Sequence, residues 1–178
     1  MKAFTKRALL IGAYCSASFA MAGAAHADTQ TANGEATIVG AITLTPVDPL
    51  RFGRFASNGT GNTAVEVYVD GTVGCSGASL CGGGTTSAAS FDVTASPNMA
   101  MTISTPGNFF LYDGPNSVEI GNIVFFGTNV TQVSYNNSSA VSDASGDLHF
   151  KMRAALWMLA GTPGGNFTGT FPVSVEYQ

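Results

Sequence analysis

The chain has 178 residues, of which 10% are charged, and its seven Lys and Arg residues are outnumbered by eleven Asp and Glu residues. This acidic balance argues against binding to nucleic acid or to an anionic membrane surface, because both require clustered basic side chains. With 45% hydrophobic residues and 12 Phe, the chain is apolar enough to fold around a core, which argues against disorder.

The first 27 residues have the organisation of a secretory signal peptide. Three basic residues near the start precede an apolar stretch over residues 8–20. Ala25 and Ala27 are small residues of the kind that a signal peptidase requires, so we expect cleavage between Ala27 and Asp28. The apolar stretch is shorter than the roughly 20 residues of a membrane span. We therefore expect export through the Sec pathway of a bacterium to the periplasm, cell surface or medium, without membrane insertion of the mature form.

Cleavage would leave residues 28–178, which contain four basic and eleven acidic residues and so carry a net charge of −7. That length suits one domain with its own core. The polar stretch over residues 28–35 predicts a flexible leader. Because no linker, charge run or repeat divides residues 36–178, we expect a single domain there.

Alternation of apolar and polar residues, which is typical of half-buried strands, recurs along this domain. The runs cover residues 36–44, 65–70, 91–95, 99–103, 150–158 and 167–178. Turn signals such as Asn58-Gly59 and Asp70-Gly71 separate them, and no window outside the signal peptide has a helical repeat. Seven to nine short strands of this kind predict an all-β fold, either an immunoglobulin-like antiparallel β-sandwich or a small barrel.

Cys75 and Cys81 are the two cysteines that remain after signal cleavage. An even number of cysteines in an oxidising compartment predicts a disulfide. The bond would close a short loop flanked by glycines and would stabilise the fold by roughly 2 kcal/mol through the entropy of the unfolded chain. A metal or redox pair is the alternative, although no further ligand lies nearby in the sequence.

Side chains suited to catalysis are scarce. His149 is the one histidine of the mature chain, which excludes a two-histidine metal site within it and leaves a Ser-His-Asp triad a single candidate base. We expect no enzymatic activity, no cofactor and no bound metal. Asp143, Ser145 and Asp147 do place oxygen atoms at alternate positions, as calcium loops do. The same residue types are also ordinary in turns.

The end of the chain carries the most informative pattern. Gly165 is fourteenth from the end, Tyr177 is penultimate, and strict alternation joins them through Phe167, Gly169, Phe171, Val173 and Val175. This pattern resembles the last strand of chaperone–usher pilus subunits. Together with the motif over residues 49–55, it makes residues 36–178 similar to an exported pilin-like family, domain of unknown function 4402. The resemblance implies a pilin-like β-sandwich.

The same resemblance implies a structural or adhesive subunit of a surface appendage, a pilus or fimbria. Its partners would be copies of itself or homologous subunits, with a periplasmic chaperone and an outer-membrane usher for assembly. In donor-strand exchange, the N-terminal strand of one subunit would complete the sheet of its neighbour. The candidate donor residues alternate along one face: Ala36, Ile38, Gly40, Ile42 and Leu44. The alternative is that these residues form the first strand of their own domain.

A second class of function stays open. A monomeric secreted binding module of the same β-sandwich class, for example one for glycans, would use exposed aromatic rings. Trp157, Tyr68 and Tyr112 are candidates for stacking on a sugar. Single aromatic residues on strands also serve cross-strand packing, so the pattern is compatible with both functions.

Overall fold

The structure is a computed structural model that describes residues 35–178. Within this range, Ile38–Gln178 forms one compact unit. The signal peptide of residues 1–27, the cleavage site after Ala27, and leader residues 28–34 lie outside the described residues. In the described part of the chain, no helix is long and apolar enough to cross a bilayer.

Thirteen strands make up the described fold, and all their pairings are antiparallel. In chain order they are β1 Thr43–Asp48, β2 Arg51–Ser57, β3 Thr63–Val67, β4 Val73–Ser76, β5 Ala78–Ser87, β6 Ala89–Thr94, β7 Ala100–Ser104, β8 Phe109–Asp113, β9 Asn116–Phe126, β10 Val130–Ser134, β11 Asn137–Val141, β12 Asp147–Met158 and β13 Ser174–Tyr177. The all-β antiparallel fold class predicted from the sequence is confirmed. The number of strands is higher than the seven to nine expected, because glycine-rich and polar segments also form strands.

A seven-stranded large sheet is built around β12, its longest strand. One side of β12 pairs with β9, and the other side pairs with β6 over its first half and with β3 over its second half. Strands β1, β4 and β8 extend the sheet beyond β6, β3 and β9. The alternating pattern explains this central position, since one face of β12 carries Phe150, Met152, Ala154 and Leu156, all buried.

A four-stranded small sheet, ordered β10-β11-β7-β13, contributes the other layer of the core. Met101, Ile103 and Ala140 of this sheet belong to the same buried cluster as the inner face of the large sheet. Phe150 lies between Phe91 and Phe125, with ring centroids 5.1 and 5.6 Å away. Burial of each such side chain contributes roughly 1.5–3 kcal/mol, so this shared core holds the two sheets together.

Strands β2 and β5 form a separate, irregular two-stranded sheet whose register shifts three times. Gly53 of β2 has a φ of +71°, and a Cβ atom there would lie 2.7 Å from the Thr86 side chain and 2.8 Å from the Gly83 carbonyl oxygen. Both the backbone conformation and the lack of space require glycine at this position. Strand β5 passes through the Gly82–Gly84 run, which lacks the side-chain alternation used to predict strands.

Candidate functional site

The predicted donor segment, residues 36–44, is in part an exposed stretch without strand structure and in part the start of a strand. Residues 36–42 form no strand, and Ile38 is 93% exposed. Strand β1 begins at Thr43 and pairs with β6 of the same chain, with Leu44 opposite Val93. Ile42 and Leu44 are half-buried against the core. The first half of the segment is therefore exposed, whereas the second half belongs to its own domain.

Tyr177 ties this N-terminal segment to the end of the chain. The Ser96 amide donates a hydrogen bond to the Tyr177 hydroxyl oxygen at 2.8 Å, and that hydroxyl donates to the Gly40 carbonyl at 3.0 Å. The Gly40 amide in turn donates to Ser96 Oγ at 2.7 Å. The sequence pattern identified Tyr177 but not Ser96, because the two residues lie 81 positions apart and no motif links them.

The C-terminal segment of residues 163–177 forms a regular strand only at its end. Strand β13 pairs with β7, from Ser174 opposite Ser104 to Tyr177 opposite Met101. Upstream, Thr168 exchanges two hydrogen bonds with Tyr112 as an isolated bridge. The predicted strand over 167–178 is thus shorter than expected, since Pro172 lacks an amide hydrogen and the segment leaves one sheet edge to reach another.

Two glycines of the C-terminal pattern stand where another chain segment comes close. At Gly165 a Cβ atom would overlap the carboxylate of Asp113, and at Gly169 it would lie 2.9 Å from the Phe110 carbonyl oxygen. The backbone at Phe110 cannot move without disturbing the β8–β9 pairing. Close approach to the β8 backbone therefore explains Gly169, whereas the close neighbour of Gly165 is a side chain.

The inward-facing side chains of the C-terminal segment are only half-buried. Phe167, Phe171, Val173, Val175 and Tyr177 pack against the core, yet none is fully buried. The alternation predicted from the sequence holds from Phe171 to Tyr177, whereas Gly169 is exposed like the two residues beside it. We call the edge seam the half-buried apolar side chains of residues 167–177 together with those of Ile42 and Leu44.

Both strands of the edge seam have an unpaired side. In the described part of the chain, β1 pairs with β6 alone and β13 with β7 alone. An edge strand presents a row of amide and carbonyl groups that another strand can pair with. Glu176 is the charged residue of β13 that opposes such pairing. The arrangement can therefore accept an added strand.

Cys75 and Cys81 form a disulfide in the structure. The bond joins β4 to β5 across the turn at Gly77, which has a φ of +72° and where a Cβ atom would overlap the Asn62 carbonyl oxygen. Because β4 pairs with β3 and β5 pairs with β2, the disulfide links the large sheet to the two-stranded sheet.

Asp143 and His149 take part in local hydrogen bonds. The Asp143 carboxylate accepts hydrogen bonds from the amides of Asp147 at 2.9 Å and Ser145 at 2.8 Å, which lower the pKa of Asp143 below its usual value. Among residues 35–178, no three His, Cys, Asp or Glu side chains are grouped so as to hold a metal ion. His149 Nδ1 lies 2.7 Å from Asp92 Oδ1 in an exposed cross-strand pair.

The three aromatic candidates for ligand stacking are not gathered in one site. Tyr68 lies beneath the guanidinium of Arg153, 5.5 Å from its ring centroid. Trp157 covers Gly121 of the neighbouring strand, where a Cβ would lie 2.8 Å from the indole ring. Tyr112 is 54% exposed on edge strand β8. Trp157 and Tyr68 thus serve cross-strand packing.

Comparison with known proteins gives one match. The profile of the family described as "Domain of unknown function (DUF4402)" matches residues 42–177. No curated protein and no solved structure matches the chain. The matched region begins just before β1 and ends with β13, so it contains the whole edge seam from Ile42 to Tyr177.

Proposed function

The chain belongs to the DUF4402 family, and from that premise we propose that it is an exported, non-enzymatic subunit of a bacterial surface filament. Subunits join when a neighbour's extended N-terminal segment adds to the edge seam. The proposal assigns the mature chain to the periplasm and then to the cell surface. Homologous subunits are its partners, with a periplasmic chaperone and an outer-membrane usher as assembly factors.

One observation carries this proposal. The edge seam leaves five apolar side chains of the C-terminal segment half-exposed beside an unpaired strand edge, while the apolar residue Ile38 is 93% exposed upstream of β1. In this proposal the edge seam is the acceptor surface, and the exposed segment before Gly40 is the donor. Each copy would donate its N-terminal segment to one neighbour and accept the segment of another at its edge seam.

Strand addition would stabilise the association in two ways. The added strand supplies backbone hydrogen bonds along the open edge, and its alternate side chains cover the half-buried apolar residues. Because the donor lies near one end of the chain and the acceptor is a different surface, each contact is head-to-tail. Head-to-tail contacts do not close on themselves and therefore build a fibre.

The chemistry of the described residues supports a structural role. His149, the one histidine of the mature chain, is paired with Asp92 on an exposed sheet face, with 54% of its side chain accessible. The Asp143 carboxylate is held by two backbone amides.

Electron microscopy and gel electrophoresis test the proposal. Cells that produce the intact chain are expected to carry filaments, and purified residues 28–178 are expected to run as a ladder that boiling collapses to a monomer. A variant without residues 28–39 should remain folded but form no ladder, because β1 and the Gly40 carbonyl that accepts the Tyr177 hydrogen bond both lie after that point.

A matched control replaces residues 28–39 with a Gly/Ser segment of equal length, which preserves the chain length but removes the apolar side chains. If this variant still polymerises, strand donation by the N-terminal segment is wrong. If the intact chain is a sharp monomer in unboiled samples and cells show no filaments, the chain is a monomeric binding module instead.

A further inference from the structure

A groove with an apolar floor opens beside the C-terminal segment. Its volume is about 830 Å³, and it is bordered by the β2–β5 sheet on one side and by residues 163–169 on the other. Val118, Leu156 and Met158, which belong to the buried core of the large sheet, reach it from below. A volume in this range is typical of sites that bind a ligand.

The border of the groove is positively charged. Arg51 and Arg54 of β2 line it and are exposed, and they are two of the four basic residues in the mature chain. Among residues 35–178, the ion pairs are His149–Asp92 and Arg153–Glu66, so neither Arg51 nor Arg54 has a carboxylate within 4.0 Å. The mature chain has a net charge of −7, but these two arginines make the border of the groove locally positive. A locally positive border attracts an anionic group.

The wall of the groove formed by residues 163–169 also has backbone amide and carbonyl groups that are available for hydrogen bonding. Within 163–173, Thr168 is the residue whose backbone groups bond to another strand, through Tyr112. The remaining amides and carbonyls of this extended stretch are open to pairing with an added chain. Since residues 167–169 also begin the edge seam, the groove continues the seam rather than forming a separate surface.

We propose that this groove binds the N-terminal segment of a second copy of the chain, with Glu35 paired to Arg51 and Arg54 and with Ile38 on the apolar floor. Residues 28–39 contain Asp28 and Glu35 and no basic side chain. Ile38 and Val39 are 93% and 40% exposed in their own copy. The inference rests on the proposed function and specifies where the donated segment is anchored.

Spacing and charge favour this occupant. Glu35 and Ile38 are three residues apart, about 10 Å in an extended chain, and their side chains point to opposite faces. The carboxylate can therefore stay at the solvent-facing border while the Ile38 side chain enters the groove. Two guanidinium groups flanking one carboxylate form charge-assisted hydrogen bonds. The general negative charge of the mature chain would otherwise oppose contact between copies.

Charge reversal tests the inference in residues 28–178. At about 0.05 M salt, E35R and the double variant R51E/R54E should each weaken self-association at least 10-fold, measured by sedimentation. The triple variant E35R/R51E/R54E should restore it, because the pair is re-formed with opposite signs. At about 1 M salt the differences should shrink, since the screening length falls to about 3 Å.

Lys151→Glu is the matched control, because Lys151 is an exposed cation on β12 that does not line the groove. It should leave association unchanged. If E35R and R51E/R54E associate like the unaltered chain, or if the triple variant fails to recover while its melting temperature is normal, the groove is not the anchor.

A photo-crosslinking side chain at position 38 distinguishes a failure of the groove inference from a failure of the filament proposal. In a mixture of isotopically light and heavy protein, the inference predicts crosslinks between copies from position 38 to residues 50–55 or 156–167. Crosslinks between copies that reach only residues 171–177 would overturn the groove and leave the filament proposal standing. An absence of any association in the unaltered protein would overturn both.

Discussion

Tyr177 joins three parts of the chain through one hydroxyl group. It accepts a hydrogen bond from the Ser96 amide and donates one to the Gly40 carbonyl. The C-terminal strand, the turn after β6 and the segment before β1 are therefore held together at one end of the edge seam. This junction fixes where the exposed N-terminal segment leaves the fold.

Removal of that hydroxyl is expected to weaken the junction. Tyr177→Phe keeps the ring but loses both hydrogen bonds, which should lower the free energy of unfolding by about 1–2 kcal/mol in urea titration. Tyr135→Phe, at a side chain that is 59% exposed, is the control and should change little. Equal stability of the two variants would contradict a structural role for the Tyr177 hydroxyl.

Asp143 should make the folding stability of the protein depend on pH in the acidic range. The amides of Asp147 and Ser145 stabilise its charged form, so its pKa is lower in the folded chain than in the unfolded one. A lowered pKa contributes stability that is present above about pH 4 and is lost as the pH falls through the folded value. The stability difference between the unaltered protein and Asp143→Asn should therefore shrink from pH 7 to pH 3. A difference that is constant over this range would contradict the assignment.

At the scale of elements, the Cys75–Cys81 disulfide joins β4 of the large sheet to β5 of the two-stranded sheet. Replacing both cysteines with serine releases a short closed loop in the unfolded state. The free energy of unfolding should fall by roughly 2 kcal/mol on the chain-entropy estimate. Chemical denaturation with and without a reducing agent checks this, because reduction should affect the unaltered protein and not the double variant.

Strands with strong alternation were predictable from the sequence. β6, β7 and β12 lie where alternation placed them, because each has one face on the core. The strand predicted around residues 65–70 ends earlier, at Val67, since the Gly71 amide bonds to the Tyr68 carbonyl and turns the chain. Strand β5 has few side chains to alternate, and backbone pairing with β2 decides its conformation.

Strand β1 is part of the large sheet of its own domain, so the stability of the fold should depend on it. This predicts how far the N-terminus can be shortened without loss of stability. Deleting residues 28–39 should leave the melting temperature unchanged, whereas deleting residues 28–48 should lower the free energy of unfolding by more than about 2 kcal/mol. The longer deletion removes Ile42 and Leu44 from the core and uncovers the edge of β6. Thermal and urea unfolding of both variants measure the difference, and equal stability would show that β1 is dispensable.

The sequence alone determined the all-β class, the faces of the main strands and the apolar pattern of the C-terminal segment, because alternation records which side of a strand is buried. The tertiary structure decided that residues 36–44 divide between an exposed stretch and β1. It also decided that Tyr177 meets Ser96 and Gly40, and that Arg51 and Arg54 border a groove. These features depend on contacts between residues far apart in the chain, and local residue patterns carry no record of such contacts.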